Sequence, residues 1–134
     1  MLLSVGGNTI DVDVESTKNL YKYILYLWQD CSCPVCRHFI EKVESCSAQK
    51  LRFLTEFGIH PLKSVSVWPY EPGDGVHTQR FMATYPINCV PVLLKDDLDN
   101  CVFEQVDDGI NIAIAKYEYG LAIMVDWELP WMGV

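Results

Sequence analysis

The sequence has no apolar run long enough for a membrane-spanning helix, which needs about 18 to 20 residues. It also lacks any basic cluster, since 10 Lys and Arg stand against 18 Asp and Glu, for a formal net charge of −8 at pH 7. This charge argues against nucleic acid and anionic membrane surfaces as partners. The first residues carry no basic side chain and soon reach Gly6 and Gly7, so we predict no signal peptide and a cytoplasmic location.

Several motifs of catalytic and binding sites are missing as well. The chain has no HExxH zinc motif, no phosphate-binding glycine loop and no second CxxC. The acidic turns around Asp11 and over residues 96–99 are predicted to be solvated surface rather than cation sites. We therefore expect neither a cofactor nor a resident metal. The length of 134 residues, half of them hydrophobic, predicts a single globular domain over residues 1–134.

What the chain does have is six cysteines, two of them in the motif Cys33-Pro34-Val35-Cys36. This spacing lets two sulfurs meet within one helical turn. If a helix begins here, its free backbone N–H groups favour a thiolate on Cys33, and Pro34 suits the first turn because no N–H is needed there. With no export signal, the cysteines favour a reducing compartment and a reactive or metal-binding group over a disulfide framework.

Hydrophobic periodicity predicts the elements around this motif. An N-terminal hairpin with its linker is expected over 1–20, a core over 21–120 and an apolar C-terminal extension over 121–134. Within the core the pattern predicts strands at 21–28, 62–68, 90–94 and 101–106, and helices at 34–58, 76–84 and 109–119. The active-site turn is predicted over 29–32 and a loop over 68–75.

The order of these elements resembles the thioredoxin superfamily, and Cys33-Pro34-Val35-Cys36 is similar to the CPxC active site of glutaredoxins. The resemblance covers residues 22–120 and includes Val90-Pro91, which is similar to the proline that opens a strand, in the cis form, in that family. It implies an α/β, thioredoxin-like fold with a central mixed four-stranded sheet flanked by helices. The N-terminal β-hairpin and the C-terminal tail would be additions to it.

The resemblance also implies a function, that of a dithiol–disulfide oxidoreductase. Cys33 would be the nucleophile and Cys36 the resolving thiol. The residues expected to bind substrate or shape the active site are Pro34, Val35, Arg37, Val90 and Pro91. The partners would be oxidised protein disulfides and a protein or low-molecular-weight thiol reductant, and we expect a monomer. The lysine and the Gly-Gly-acidic segment with which glutaredoxins hold glutathione have no counterpart at 29–32 or 95–100.

The remaining cysteines leave alternatives open. Cys31 extends the motif to CxCxxC, as an alternate disulfide partner or a third metal ligand, and Cys89 lies close enough to Pro91 in sequence to be an auxiliary thiol. Cys46 and Cys101 are predicted to be packing residues. One alternative function is a zinc or iron–sulfur module that uses Cys31, Cys33 and Cys36 with Cys89 or His38. Another is a non-catalytic thioredoxin-fold adaptor.

Overall fold

The computed structural model describes residues 1–73, 77–95, 98, 101–118 and 120–131. Within this part of the chain, four helices and eight strands follow one another. They are β1 (Leu2–Val5), β2 (Asn8–Val12), α1 (Val14–Tyr21), α2 (Leu27–Asp30), α3 (Pro34–Glu44), α4 (Arg52–Thr55), β3 (Ser66–Pro72), β4 (Thr78–Ile87), β5 (Cys89–Leu93), β6 (Glu104–Asp107), β7 (Ile110–Tyr117) and β8 (Gly120–Pro130). The strands form a three-stranded sheet, β1-β2-β5, and a five-stranded sheet, β3-β4-β8-β7-β6. All strand pairs are antiparallel.

The predicted thioredoxin-like fold is wrong. Two antiparallel sheets replace the single mixed four-stranded sheet, and β-structure predominates over helix. The predicted C-terminal extension contains β8, which lies between β4 and β7 in the large sheet. Its sequence alternates apolar residues from Leu121 to Leu129 with Ala, Met, Asp and Glu, the period-two pattern of a strand. The adaptor hypothesis fails with the fold, because it relied on a thioredoxin-like groove.

Three further element predictions are wrong. Residues 76–84 and 109–119 were expected to be helices, but their described residues belong mainly to β4 and β7. Ile110, Ile112 and Ile114 alternate along β7 and are all buried, so pairing with β8 uses their two-residue period. Residues 21–28, expected to be a core strand, instead end α1 and begin α2, and Tyr23 there is 87% exposed.

Two local predictions are confirmed. The hairpin turns at Gly6 and Gly7, whose φ angles of 59° and 85° lie in the left-handed region that glycine adopts without strain. A helix does begin at Pro34, although it ends at Glu44 instead of continuing to residue 58. The strand expected at 90–94 exists as β5, but it belongs to the small sheet and pairs with β2.

The apolar face of α3 packs against the large sheet. Phe39 is fully buried, with its ring centroid 5.5 Å from that of Phe81 on β4 and 6.0 Å from that of Trp127 on β8. Phe81 and Trp127 are direct partners across the β4–β8 ladder, so they present one surface to the helix. Ile40 and Val43 are buried on the same helix. This packing holds the helix at whose first turn the CxxC motif lies.

Two buried tyrosine hydroxyls join the helical segments to the large sheet. Tyr21, at the end of α1, donates to the carbonyl of Pro86 at 2.8 Å, and Tyr85 on β4 donates to the carbonyl of Pro61 at 2.7 Å. Burial raises the pKa of both hydroxyls, so they remain protonated donors. None of the helices in the described part of the chain is long and apolar enough to cross a membrane.

Candidate thiol site

Cys33 is the N-cap residue of α3. Its backbone is extended, with φ −65° and ψ 158°, and its Sγ accepts the backbone N–H of Cys36 at 3.4 Å. Pro34 occupies the first turn of the helix, where a missing N–H costs nothing. A cysteine sulfur therefore takes the capping position that a Ser, Thr, Asp or Asn oxygen usually fills. The local sequence predicts the helix start, and the structure identifies Cys33 as the residue that caps it.

Cys31 joins the two motif cysteines in one cluster. It follows α2 directly, and its backbone N–H caps that short helix by donating to the carbonyl of Leu27 at 2.9 Å. The Sγ atoms of Cys31, Cys33 and Cys36 all lie within 4.8 Å of one another. Among the described residues, no fourth His, Cys, Asp or Glu joins this group. We call these three residues the thiol cluster.

The members of the thiol cluster differ in burial. Cys36 is only 6% exposed and belongs to the core, whereas Cys31 and Cys33 are half-buried at its edge. Hydrogen bonds to the Cys33 sulfur, chiefly from the backbone N–H of Cys36 and next from the Cys31 thiol, lower the pKa of Cys33 to about 7. Burial, with further contributions from Cys31 and Cys33, raises the pKa of Cys36 to about 12. The cluster thus pairs a readily ionised thiol with one that stays protonated.

Arg37 and His38, which follow the motif, point to other partners. Arg37 is exposed and donates from Nη2 to the carbonyl of Ser32 at 3.4 Å. The Nε2 atom of His38 lies 2.9 Å from the carbonyl oxygen of Pro130, and its ring centroid lies 4.3 Å from that of Trp131. His38 therefore anchors the end of β8 to α3, and it lies outside the thiol cluster. Sequence reasoning missed this contact because it did not place the C-terminal segment.

A small cavity lies beside the motif. Its volume is about 180 Å³, and it is lined by Pro34, Arg37, His38 and Glu41 on the outer side of α3. Val35, between the two motif cysteines, is half-buried against the core, and its backbone N–H also contributes to lowering the pKa of Cys33. Pro34 and Val35 thus lie next to Cys33, and their role in shaping an active site stays a prediction.

The structure places the other predicted site residues on a different element. Val90 and Pro91 lie exposed in β5 of the small sheet, joined by a trans peptide bond. Cys89, in the same strand, is not part of the thiol cluster, and burial raises its pKa. The roles predicted for these residues depended on a thioredoxin-like fold, in which such a strand lies against the CxxC. Here the helix that carries the motif packs on the large sheet instead.

Cys46 and Cys101 are half-buried thiols outside the cluster. The Sγ of Cys46 lies 3.4 Å from the carbonyl oxygen of Lys42, just beyond the end of α3. Burial raises the pKa of Cys46, which makes it a poor nucleophile. The six cysteines all lie among the described residues, and none of them forms a disulfide bond.

Two other regions offer less chemistry. A cavity of about 390 Å³ is lined by Lys18, Lys22 and Lys63 together with apolar side chains, and its described lining residues include no cysteine or carboxylate. Lys63 donates to the carbonyl of Tyr21 at 2.8 Å. On the large sheet, Asp126 accepts hydrogen bonds from Arg80 at 2.9 Å and from the hydroxyl of Tyr70 at 2.6 Å. Each carboxylate oxygen of Asp126 thus accepts a hydrogen bond, and we regard this cluster as structural.

Searches for related proteins return no match for this chain among protein families, curated proteins or solved structures. The geometry of the thiol cluster is therefore the basis from which function is inferred.

Proposed function

We propose that the protein is a thiol–disulfide oxidoreductase in which Cys33 is the nucleophile and Cys36 a resolving thiol. One observation carries this proposal. The half-exposed sulfur of Cys33 caps α3 and accepts the Cys36 N–H at 3.4 Å, while the buried sulfur of Cys36 lies within 4.8 Å of it. An accessible thiol with a second thiol directly behind it is the arrangement that dithiol exchange requires.

The surroundings of Cys33 suit it to the first attack. A thiolate, not a thiol, is the nucleophile in disulfide exchange, and helix N–H groups stabilise its negative charge. The lowered pKa of Cys33 agrees with this geometry. Cys36 lies one helical turn further on, in a drier environment that keeps its proton in place until the neighbouring sulfur has reacted.

The reaction balances with these two thiols. The Cys33 thiolate attacks one sulfur of a substrate disulfide, forming a mixed disulfide and releasing the first substrate thiolate. Cys36 loses its proton and attacks the Cys33 sulfur, releasing the second substrate thiolate and leaving a Cys33–Cys36 disulfide. The substrate gains two electrons and the protein loses two. A protein or low-molecular-weight thiol then reduces the pair and restores the starting state.

The charge and exposure of the site suggest the partners. Oxidised protein disulfides are the proposed substrates, because Cys33 is half-buried at the edge of the core and none of the cavities described above is lined by it. The excess of 8 negative charges favours partners with basic contact surfaces. A cytoplasmic location, with its pool of reducing thiols, would supply the reductant.

The test is turnover of a protein disulfide with a low-molecular-weight dithiol as reductant. We expect the wild-type protein to accelerate reduction and Cys33→Ser to fall to the uncatalysed rate. Cys46→Ser is the matched control, because it removes a half-buried thiol outside the cluster and should retain wild-type turnover. Catalysis that persists in Cys33→Ser would refute the proposal.

A second candidate function, zinc binding, is favoured by the mutual spacing of the three sulfurs. Zinc is held by sulfur at about 2.3 Å, and an open zinc site uses three protein ligands plus water or substrate. Cys89 and His38, the fourth ligands predicted from the sequence, lie outside the cluster, so an all-protein tetrahedral set is not formed by the described residues. Elemental analysis of anaerobically purified protein tests zinc binding. Stoichiometric zinc would support zinc binding, and protein that still holds no zinc after zinc has been added would exclude it.

A further inference from the structure

Cys31 is the member of the thiol cluster that the dithiol reaction leaves unused. Its sulfur lies within 4.8 Å of both other sulfurs, and all three are free. A disulfide requires an S–S distance of about 2.0 Å. Side-chain rotation and a small backbone adjustment would bring the Cys31 sulfur to this distance from either neighbouring sulfur. Cys46, Cys89 and Cys101 lie outside the cluster and do not share this property.

Cys31 and Cys36 differ in burial, and burial affects how readily each thiol can attack a mixed disulfide on Cys33. To resolve a mixed disulfide, a thiol must first ionise, and Cys36 would do so while 6% exposed inside the core. Cys31 is half-buried at the end of α2 and keeps contact with water. Cys31 is therefore better exposed for the second attack.

The two possible disulfides of Cys33 differ in the length of chain that they close. A Cys31–Cys33 bond closes a loop with one intervening residue, whereas a Cys33–Cys36 bond closes the first turn of α3, with two. The sulfurs of Cys31 and Cys33 nevertheless lie within 4.8 Å of each other. Because disulfide geometry is specific, the shorter loop has fewer conformations that satisfy it, and a Cys31–Cys33 bond is the more strained of the two.

We propose that Cys31 is a second resolving thiol, which forms a transient disulfide with Cys33 before the bond moves to Cys36. This inference rests on the proposed function, because it requires Cys33 to form a mixed disulfide first. The Cys31 thiol gives its proton to water, and its thiolate attacks the Cys33 sulfur and displaces the second substrate thiolate. Cys36 then attacks the same sulfur and displaces the Cys31 thiolate, which takes up the proton that Cys36 loses. The same two electrons pass to the substrate, and the final product is the Cys33–Cys36 disulfide.

The experiment uses reduced full-length protein and a substoichiometric amount of dipyridyl disulfide, which releases one absorbing pyridinethione at each displacement. Resolution of the mixed disulfide therefore gives two pyridinethiones for each reagent molecule, and a trapped mixed disulfide gives one. We expect two from the wild type, two from Cys36→Ala, and one from the double variant C31S/C36A. Intact mass should show the pyridyl adduct only in the double variant. Cys36→Ala is chosen because it places an apolar side chain at a buried position, and Cys89→Ser is the control outside the cluster.

The outcomes separate this inference from the proposed function. If Cys36→Ala stops at one pyridinethione, as the double variant does, while the wild type releases two, Cys31 does not resolve and the inference is wrong. If Cys33→Ser releases two as rapidly as the wild type, Cys33 is not the nucleophile and the proposed function fails first. A circular-dichroism melting curve for Cys36→Ala shows that the variant is folded. Should it be unfolded, Cys36→Val replaces it in the same assay.

Discussion

The two parts of α3 differ sharply in their surroundings. Towards the large sheet, Phe39 is fully buried and its ring packs against Phe81 and Trp127. At its N-terminus the same helix presents Cys33 to solvent, with a backbone N–H as its hydrogen-bond donor. The residues that attach the helix to the sheet are therefore different from the residue that we propose to react. The apolar contacts of Phe39 hold the helix in place, and Cys33 lies at its first turn.

The largest effect that tests this division is expected from Trp127→Ala. Trp127 is fully buried and its ring also lies against Phe53, so truncation leaves a cavity between helix and sheet. We expect a loss of about 3 to 5 kcal/mol in the free energy of unfolding. Denaturant titration followed by circular dichroism measures it. Trp127→Phe, which retains an aromatic ring, should lose less, and a Trp127→Ala variant as stable as the wild type would show that packing at this position does not hold the fold.

The next effect concerns the pH dependence of Cys33. Its pKa is lowered to about 7, so the thiolate persists down to that pH and is lost below it. We expect a fast phase of alkylation by iodoacetamide with a midpoint near pH 7, decreasing about tenfold per pH unit in more acidic solution. The fast phase should be absent from Cys33→Ser. A fast phase with the midpoint of an ordinary thiol, about pH 8.5, would show that the helix N–H groups do not stabilise the thiolate.

The smallest effect is expected from Cys33→Ser on stability. Serine is a favoured N-cap residue, and its Oγ can accept the Cys36 N–H that the sulfur accepts now. We expect a change within about 0.5 kcal/mol in the free energy of unfolding, measured in the same titration. Cys33→Val, which keeps a side chain without the cap acceptor, should cost about 1 kcal/mol. A large loss in Cys33→Ser would place Cys33 among the residues that hold the fold.

Much of the thiol site could be predicted from local sequence, whereas most of the fold could not. The helix start at Pro34 and the turn at Gly6 and Gly7 depend on residues that are adjacent in the chain. Residues 110–117 have isoleucines whose spacing suits either a helix or a strand. They form a strand because they pair with β8. The apolar run 21–28 has no such partner strand, and Tyr23 and Leu25 within it are exposed. Hydrophobic content alone did not show which of these segments would be covered.

The sequence by itself determined the spacing of Cys31, Cys33 and Cys36 and the helix cap that stabilises a thiolate, because both depend on contacts within a few residues. Only the tertiary structure decided which of the three thiols is buried from solvent. Cys36 is buried because Phe39 and Val43 hold α3 against the core, and those contacts join residues that are distant in the chain. Tertiary packing also decided that β5, with Val90 and Pro91, belongs to the small sheet. Side-chain burial arises when distant segments pack, so it could not be predicted from the motif.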